Sequence, residues 1–499
     1  MPMQNPKAYL TPATLTPVAC FLYYFQRHIS LSYLAAGVIV LGGFFLLYAT
    51  WEKPFARRLA KTVFPVLAIA LLALGLWQFL QLRDPGDIDH ASYSCALWNM
   101  ARGNPWYSIN NMNFFGTHAD YTGLLWIPIQ ALAGEWGLKA GKCLCMVFAA
   151  MLAVRRFRGN PDIAGWGAAA LLLSPPLASQ FFNGFHLEYL AAPILVLALD
   201  AFREKRLARF LLYAAFLAYS KEVFTLAIGG MLLVAVVERR SWKWILLPGL
   251  LCSAMMGLYW FVILRHFAPE GNNLESFMPH SLAEIMAMWF RRDTLFYFFH
   301  VGLPFLPLML VLPKRYLLLP LPLMVFYAAF TSWIFESMTT HYNYPVAFLC
   351  FGGLILAANP PEVRLGRILM ACAVTALLSY PIWRPNLSVP APDFARVRDV
   401  HDIASQVPGD AAVLVSAPFM ARFAARKDVS DWTYRKRPAE TYDYILIDRG
   451  FTPEFHVEKD RLERDLDSLT HSPAWDVAFA RDGLYLLRNK LSPVPPPRP

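Results

Sequence analysis

The sequence VFPVLAIALLALGLWQFLQL, Val63 to Leu82, contains no charged side chain. A helix of about 20 apolar residues is long enough to cross the hydrocarbon core of a bilayer. Leu31 to Thr50 forms a second run of the same kind. Of the 499 residues in the chain, 57% are hydrophobic and only 16% are charged, whereas about 25% of the residues in soluble domains are charged. The sequence therefore predicts a polytopic membrane protein.

Further apolar runs bring the predicted number of transmembrane helices to about twelve. The predicted spans are 31–50, 63–82, 137–154, 163–182, 187–202, 208–220, 222–238, 242–264, 295–312, 316–335, 344–358 and 367–383. Prolines in two of them, Pro175 and Pro304 among others, are expected to kink or break the helix. Such breaks survive in a membrane only where protein or a wet cavity satisfies the backbone, so they indicate an internal cavity.

Basic residues between the spans predict the orientation of the protein, because cytoplasmic loops are enriched in Lys and Arg. If the basic segment 51–62 is cytoplasmic, the following loops fall on the same side, and all of them carry Lys or Arg: 155–162, 203–209, 239–243, 313–315 and 359–367. The opposite side then receives loop 83–136 and everything after residue 384. This placement explains the net charge of +10, so nucleic acid is not expected as a partner.

The composition changes after Trp383, where the membrane part is predicted to end. Residues 384–392 are rich in proline and predict a linker. Residues 393–490 alternate helical and strand patterns, which predicts a small soluble α/β domain. Its last part, WDVAFARDGLYLLRN, predicts a hairpin that turns at Asp482-Gly483. The tail 491–499 is predicted to be disordered.

The membrane part is predicted to consist of one or two additional segments in residues 1–62 and a transmembrane domain in residues 63–383. Loop 83–136 is predicted to be external. Its second half, residues 121–136, is apolar but short for a span, and its tryptophans suit a helix that lies at the membrane interface.

Polar side chains gather on the predicted external side, close to the ends of spans. They form five groups: Asp87 with Asp89, His118 with Asp120, His186 with Glu188, Lys221 with Glu222, and His341 with Tyr342. Ionisable residues near a membrane are costly and are frequently functional. Each group alone also has a structural explanation, such as a helix cap for Asp89 or a neutralising pair between Lys221 and Glu222. Five groups that share one membrane face indicate a site for an amphiphilic substrate, with its polar head at the interface and its tail in the bilayer.

Several segments together resemble an uncharacterised bacterial family of membrane proteins, DUF2079, which is grouped with the GT-C glycosyltransferases. In chain order they are DIDHASYSCALWNMARGNPWYS (87–108), NFFGTHAD (113–120), FHLEYLAAPILVLAL (185–199), AYSKEVFTLAIGGMLL (218–233), HYNYPVAFL (341–349), VPGDAAVLVSAPFMARFAARKD (407–428) and YDYILID (442–448). The resemblance spans roughly residues 65–485. This chain departs from the family at Ser94-Cys95 and at Ala119-Asp120, which would mean a different acceptor or a loss of activity.

The resemblance implies a mainly α, GT-C-like helical bundle in a bacterial inner membrane, with the small α/β domain in the periplasm. It also implies transfer of a sugar from a polyprenyl-phosphate donor to a cell-envelope acceptor that the sequence does not identify. Asp89 would be the general base, with Asp87 beside it. Lys221, with Arg291 or Arg292, would stabilise the leaving phosphate.

The remaining residues of the implied site would line a pocket for donor and acceptor: His118, Asp120, His186, Glu188, Glu222, His341 and Tyr342. The resemblance requires no particular cofactor. A divalent cation, Mg²⁺ or Mn²⁺, remains an alternative, and its ligands would be Asp89, His118, His186 and Glu188.

Two other functions are compatible with the sequence: a transporter or flippase for lipid-linked glycans, and an inactive scaffold for envelope assembly. Transporters commonly contain internal repeats and ionisable residues near the middle of the bilayer. No repeat is evident here, and the ionisable residues gather at one face. The sequence therefore favours an enzyme.

Overall fold

Helices make up most of the described residues as far as Trp383, and a small mixed sheet follows. The computed structural model describes residues 54–81, 87–104, 106–107, 112–116, 118, 120–267, 281–291, 294, 297, 301–329, 341–357, 362–383, 393–416, 419–426, 428–432, 437–449 and 459–493. The predicted span 31–50 and the predicted linker 384–392 lie outside these residues.

The helices of the membrane part are numbered in chain order. They are α1 (Pro54–Leu80), α2 (Asp87–Met100), α3 (Ile127–Val154), α4 (Pro161–Leu173), α5 (Pro175–Phe182), α6 (Ala191–Arg203), α7 (Leu207–Ser220), α8 (Phe224–Val237), α9 (Lys243–Leu258), α10 (Leu282–Trp289), α11 (Leu306–Val311), α12 (Leu321–Ala328), α13 (Tyr344–Leu356) and α14 (Glu362–Trp383). Helix α9 continues through a π-helical turn, Tyr259–Ile263, to Phe267.

Within the described residues, three helical stretches are long and apolar enough to cross a membrane: Leu59–Leu80, Tyr121–Phe157 and Lys243–Phe267. Shorter apolar helices, among them α4, α7, α8 and α13, accompany them. Outward-facing side chains on the long helices are apolar, for example Ile69, which is 68% exposed. Exposed aliphatic side chains at such density suit a surface that faces lipid.

Prolines break two of the predicted spans. The predicted span 163–182 is two helices, because the chain leaves helical geometry at Ser174 and Pro175 begins α5. Pro304 lies in a 3₁₀ turn, Leu303–Phe305, which precedes α11. The helix breaks predicted from the prolines are therefore confirmed at both places.

The predicted loop 83–136 is largely structured. It contains α2, a two-stranded hairpin and a 3₁₀ turn, Tyr121–Trp126, that leads into α3. Gly134 interrupts α3 with φ 55°, a conformation that glycine adopts without steric cost. The segment predicted to be an interfacial helix is thus helical and is separated from the rest of α3 by this kink.

Glycines bring some helices into backbone contact. A Cβ atom on Gly165 of α4 would lie 1.8 Å from the carbonyl oxygen of Ala60 in α1. A Cβ atom on Gly230 of α8 would lie 2.0 Å from the carbonyl oxygen of Leu319. Small residues at such crossings allow close van der Waals packing, which is a main source of helix association in lipid.

The basic loops meet at one end of the bundle. Arg155 binds Asp200 at 2.6 Å, Arg240 donates to the carbonyl oxygen of Phe202 at 2.5 Å, and Arg315 binds Glu238 at 3.1 Å. Loops 155–162, 203–209, 239–243 and 313–315 therefore share a side, as the charge pattern predicted.

The C-terminal domain is built on a five-stranded sheet. Its elements are α15 (Phe394–Gln406), β3 (Val413–Val415), α16 (Met420–Phe423), β4 (Val429–Asp431), β5 (Tyr444–Asp448), α17 (Lys459–His471), β6 (Trp475–Arg481) and β7 (Leu484–Asn489), after β1 (Trp106–Tyr107) and β2 (Met112–Asn113) of the loop hairpin. The strand order is β4-β3-β5-β7-β6. Strand β3 is parallel to β4 and β5, whereas β7 is antiparallel to β5 and β6.

The hairpin β6–β7 turns at Asp482 (φ 47°) and Gly483 (φ 79°), as predicted. Both positive φ angles fit the tight turns that suit twisted antiparallel strands. Strand β4 was not predicted. After β7, the Ser492 hydroxyl donates to the carboxylate of Asp443.

Candidate functional site

Four segments that are distant in sequence meet at the end of the bundle opposite the basic loops. The indole of Trp126 donates to the carbonyl oxygen of Leu187 at 3.0 Å, and Thr122 donates to the hydroxyl of Ser220 at 2.9 Å. The hydroxyl of Tyr344 donates to the carbonyl oxygen of Glu188 at 2.9 Å. These bonds bring together the turns that contain most of the polar groups predicted from the sequence.

Lys221 and Glu188 form a buried ion pair at the centre of this region. The Lys221 Nζ lies 3.0 Å from Glu188 Oε1, and the two side chains are 2% and 3% exposed. Burial opposes the charge on Lys221, but Glu188 and Asp120 outweigh it and raise the lysine pKa well above its usual value. The lysine is therefore a fixed positive charge.

His118 and Glu222 form a second pair beside the first, with His118 Nδ1 2.9 Å from Glu222 Oε1. Burial opposes both charges, but each partner stabilises the other. The pKa of His118 is raised, and that of Glu222 falls to about 2. The sequence left open a neutralising pair between Lys221 and Glu222; in the structure the ion pair of Lys221 is with Glu188 and that of Glu222 is with His118.

Asp89 lies at the open edge of the cluster, at the start of α2. Its carboxylate is 3.7 Å from Nε2 of the buried His186, and its own side chain is 53% exposed. The surrounding protein displaces enough water to raise the Asp89 pKa to about 6, against the attraction of Lys221. Burial and the nearby cations lower the pKa of His186 well below its usual value. A neutral imidazole thus faces a carboxylate that solvent can reach.

Asp120 is buried at 2% exposure, and among the described residues neither of its carboxylate oxygens has a hydrogen-bond partner. Burial raises its pKa to about 7, and Lys221 only partly offsets this effect. A buried polar group without a hydrogen bond is costly. Asp120 is therefore a group that a proton or a bound ligand would stabilise.

Aromatic side chains border the cluster on the bundle side. The Lys221 ammonium lies 5.3 Å from the ring centroid of Tyr342, and Tyr344 stacks on Tyr189 at 5.6 Å. Six apolar and aromatic side chains border the Lys221–Glu188 pair: Val223, Phe224, Tyr327, Tyr342, Tyr344 and Pro345. The cluster thus has a polar side at Asp89 and an apolar, aromatic side within the bundle.

Two buried lysines of α3 were missed in the sequence. Lys139 and Lys142 are fully buried, and both donate to the carbonyl oxygen of Asn183, where α5 ends. Lys142 also donates to Gly184 at 2.8 Å. Cations at a helix C-terminus are favourable, and here they hold the turn that carries His186. Their spacing of three residues puts both lysines on one face of the helix, and this spacing could have predicted that they act together.

The charges of the cluster do not balance if every carboxylate is ionised. The carboxylates of Asp89, Asp120, Glu188 and Glu222 face the cations of Lys221 and His118. A bound proton or a cation would reduce this excess. However, two of the four suggested metal ligands, Glu188 and His118, already bind other side chains. No group of three or more His, Cys, Asp or Glu side chains within the described ranges is arranged to hold a metal ion.

Other predicted site residues are only partly described. The backbones of Asp87 and His341 are placed, in α2 and in the 3₁₀ turn His341–Asn343, but their side chains lie outside the described part. Arg291 follows α10, and Arg292 is outside the described residues. Their roles stay predictions.

Crystal structures of ArnT from Cupriavidus metallidurans have a similar fold. The structure bound to undecaprenyl phosphate matches with a TM-score of 0.51 and 15% identity, over 87% of this chain and 99% of that one. The apo structure matches with a TM-score of 0.51 and 14% identity, over 86% and 98%. At this identity the likeness establishes the fold alone. The fold is GT-C-like, as predicted from the sequence.

The sequence identifies the family within this fold class. Residues 85–486 match the model of the predicted membrane proteins DUF2079, and the chain belongs to that family. No curated protein matches the sequence.

Proposed function

We propose that the protein is a membrane glycosyltransferase that moves a sugar from a polyprenyl-phosphate donor to an acceptor in the cell envelope. The observation that carries the proposal is the cluster around Lys221, where a solvent-accessible carboxylate, Asp89, adjoins a buried polar centre that is bordered by aromatic side chains. An amphiphilic donor requires this combination, because its phosphate and sugar are polar and its chain is apolar. The fold shared with ArnT, which was crystallised with undecaprenyl phosphate, supports the choice of donor class.

Asp89 is the general base of the proposed reaction. The acceptor hydroxyl gives its proton to the Asp89 carboxylate while its oxygen attacks the anomeric carbon of the sugar. The bond between that carbon and the phosphate oxygen breaks, and polyprenyl phosphate leaves as the anion. A pKa of about 6 keeps Asp89 ionised at neutral pH and close to the range that suits a general base.

Lys221 supplies positive potential for the phosphate. Glu188 fixes its position, so that no side-chain rearrangement is needed when charge develops on the leaving group. Protonated Asp120 can donate a hydrogen bond to a sugar hydroxyl or to a phosphate oxygen. The neutral His186 borders the Asp89 carboxylate on the side of the cluster, at 3.7 Å. A divalent cation, Mg²⁺ or Mn²⁺, would be an additional counter-charge at Asp89.

The proposed location is the bacterial inner membrane, with the cluster and the C-terminal domain on the periplasmic side. The basic loops lie together at the other end of the bundle, which the charge rule assigns to the cytoplasm. Polyprenyl-linked donors and envelope acceptors meet on the periplasmic side. The sugar and the acceptor are not specified by the cluster.

The test is sugar transfer by the purified protein in lipid nanodiscs. Radiolabelled undecaprenyl-phosphate sugars serve as donors, and a bacterial membrane extract supplies acceptors. We expect the wild type to consume one of the donors and Asp89→Asn to lose roughly 10²-fold or more of that rate, since a positioned general base contributes about that much. The matched control is Asp476→Asn, which changes an exposed aspartate on the C-terminal domain and should retain full activity.

Two results would contradict the proposal. One is that no donor is consumed, in which case a flippase assay with the same lipids is the next measurement. The other is that Asp89→Asn transfers sugar at the wild-type rate, which would leave the fold but remove the assigned base.

A further inference from the structure

The C-terminal domain packs directly against α2, the helix that begins beside Asp89. Its short helix α16 contributes Arg422, whose guanidinium group lies 4.6 Å from the ring centroid of Phe79 and 5.2 Å from that of Trp136. Arg422 also donates to the carbonyl oxygen of Phe79 at 3.0 Å. Phe79 lies in the last turn of α1, where a cation is favourable because helix carbonyl groups lack partners there.

A chain of contacts connects Arg422 to the cluster. The ring of Phe79 stacks on His90 with a centroid distance of 5.0 Å and an angle of 10° between the ring planes. His90 is fully buried and directly follows Asp89 in α2. Trp136 of α3 packs edge-to-face against Phe79, with ring centroids 4.9 Å apart. The first turn of α2 is therefore in contact with Phe79, and Arg422 lies over the same ring.

Two further contacts attach the domain, one to α2 and one near the end of α1. The thiol of Cys95, which is fully buried, is 3.6 Å from the carbonyl oxygen of Arg426. Arg426 is itself fixed, because its guanidinium donates to the carbonyl oxygens of Ala404 and Val407 in its own domain. Near the end of α1, Gln81 accepts a hydrogen bond from the backbone of Asp393 at 2.8 Å.

We propose that the C-terminal domain is a positioning element of the candidate site, and that Arg422 is the residue through which it acts. By holding Phe79 against His90, Arg422 keeps the start of α2 in the orientation that places Asp89 beside His186. Arg422 touches no reacting atom in this proposal. The inference goes beyond the proposed function by assigning a role to the soluble domain. Only its kinetic test rests on that function.

The first test does not depend on activity. Cys95 is buried under the domain, so its reaction with a maleimide reports whether the domain is docked. The wild-type protein and its variants in nanodiscs would be labelled, and each cysteine-containing peptide would be quantified by mass spectrometry. Cys143, which is fully buried in α3, serves as an internal measure of global loosening.

We expect Arg422→Ala to increase the labelling rate of Cys95 by roughly tenfold, because a cation–π contact and a charged hydrogen bond are lost together. Arg422→Lys retains the charge and should give a smaller increase. The control Arg449→Ala removes an exposed arginine that binds Glu463 within the same domain, and it should leave Cys95 protected. Labelling of Cys143 should not change in any variant.

The second test measures transfer kinetics. Arg422→Ala should reduce kcat with little change in the KM for the donor, and Arg422→Lys should restore part of the loss. If Cys95 stays protected in Arg422→Ala, the docking role is wrong. If Cys95 becomes accessible while kcat is unchanged, Arg422 docks the domain, but the domain does not position the site. If the wild type transfers no sugar, the proposed function fails while the labelling result still decides the docking role.

Discussion

The two ion pairs of the candidate site connect residues that are far apart in sequence. Lys221 and Glu222 are neighbours, yet Lys221 has extended backbone angles (φ −172°, ψ 146°), and successive side chains on extended backbone point in opposite directions. Lys221 therefore meets Glu188, and Glu222 meets His118. The sequence could predict which residues are ionisable and which side they share, but their pairing depends on backbone angles at one turn.

The His118–Glu222 pair leads to a prediction about stability and pH. The folded-state pKa of Glu222 is about 2, below its usual 4.5, so its contribution is present above about pH 4.5 and is lost as the pH falls towards 2. The pKa of His118 is raised, so its contribution is complete below its usual 6.5 and is lost as the pH rises through the higher folded value. The pair should stabilise the protein most between about pH 4.5 and 6.5.

Glu222→Gln should therefore lower the thermal unfolding temperature most near the middle of that window. We expect a loss of roughly 3 kcal/mol there, because removing one partner leaves the other charge buried, and a smaller loss at alkaline pH. The measurement is thermal unfolding in nanodiscs at a series of pH values. The double variant His118→Gln, Glu222→Gln is the control and should show little pH dependence of this kind. An equal loss at every pH would contradict the pairing.

At the scale of helices, proline and charge predicted breaks and sides correctly, whereas glycine did not show which helices come into contact. Pro175 ends α4 as predicted, because it lacks a backbone donor and clashes with the preceding turn. The apolar run around Gly229 and Gly230 predicted only a span. It did not distinguish the glycine that contacts another backbone from the one that does not, because that difference depends on which segment crosses α8.

The two glycines provide a matched pair of substitutions. Gly230→Ala would place Cβ 2.0 Å from the carbonyl oxygen of Leu319, whereas a Cβ atom on Gly229 would meet nothing within 4 Å. Gly230→Ala should destabilise the protein by roughly 1–3 kcal/mol, the usual cost of overpacking. Gly229→Ala should be neutral or slightly stabilising, since alanine favours helix. Thermal unfolding of both variants is the measurement, and equal effects would show that α8 does not cross Leu319 as described.

For the whole molecule, the charge pattern predicted which loops lie together, and the composition predicted a separate C-terminal domain. Neither predicted that this domain covers α2, because the contact between Cys95 and Arg426 joins residues more than 300 positions apart. Its residues also have no distinctive pattern: an arginine, two aromatic rings and a buried thiol. The sequence therefore predicted the C-terminal domain but not its packing against the candidate site.

The position of the C-terminal domain relative to the membrane leads to a prediction about topology. It lies at the end of the bundle away from the basic loops, since it contacts Gln81 and Phe79 at the end of α1. The charge rule assigns the basic loops to the cytoplasm. Alkaline phosphatase needs disulfide bonds and is active only outside the cytoplasm. A phosphatase fused after Trp383 should therefore be active, and one fused after Arg240 should not.

Both fusions need to accumulate to the same level in the membrane fraction before their activities are compared. Because the two fusion sites lie at opposite ends of one helical bundle, their activities must differ if the bundle spans the bilayer. An active Arg240 fusion with a silent Trp383 fusion would show that the protein has the opposite orientation, with Asp89 on the cytoplasmic side. A cytoplasmic Asp89 could not reach an acceptor in the periplasm, so that outcome would also remove the proposed reaction, whatever the geometry of the cluster.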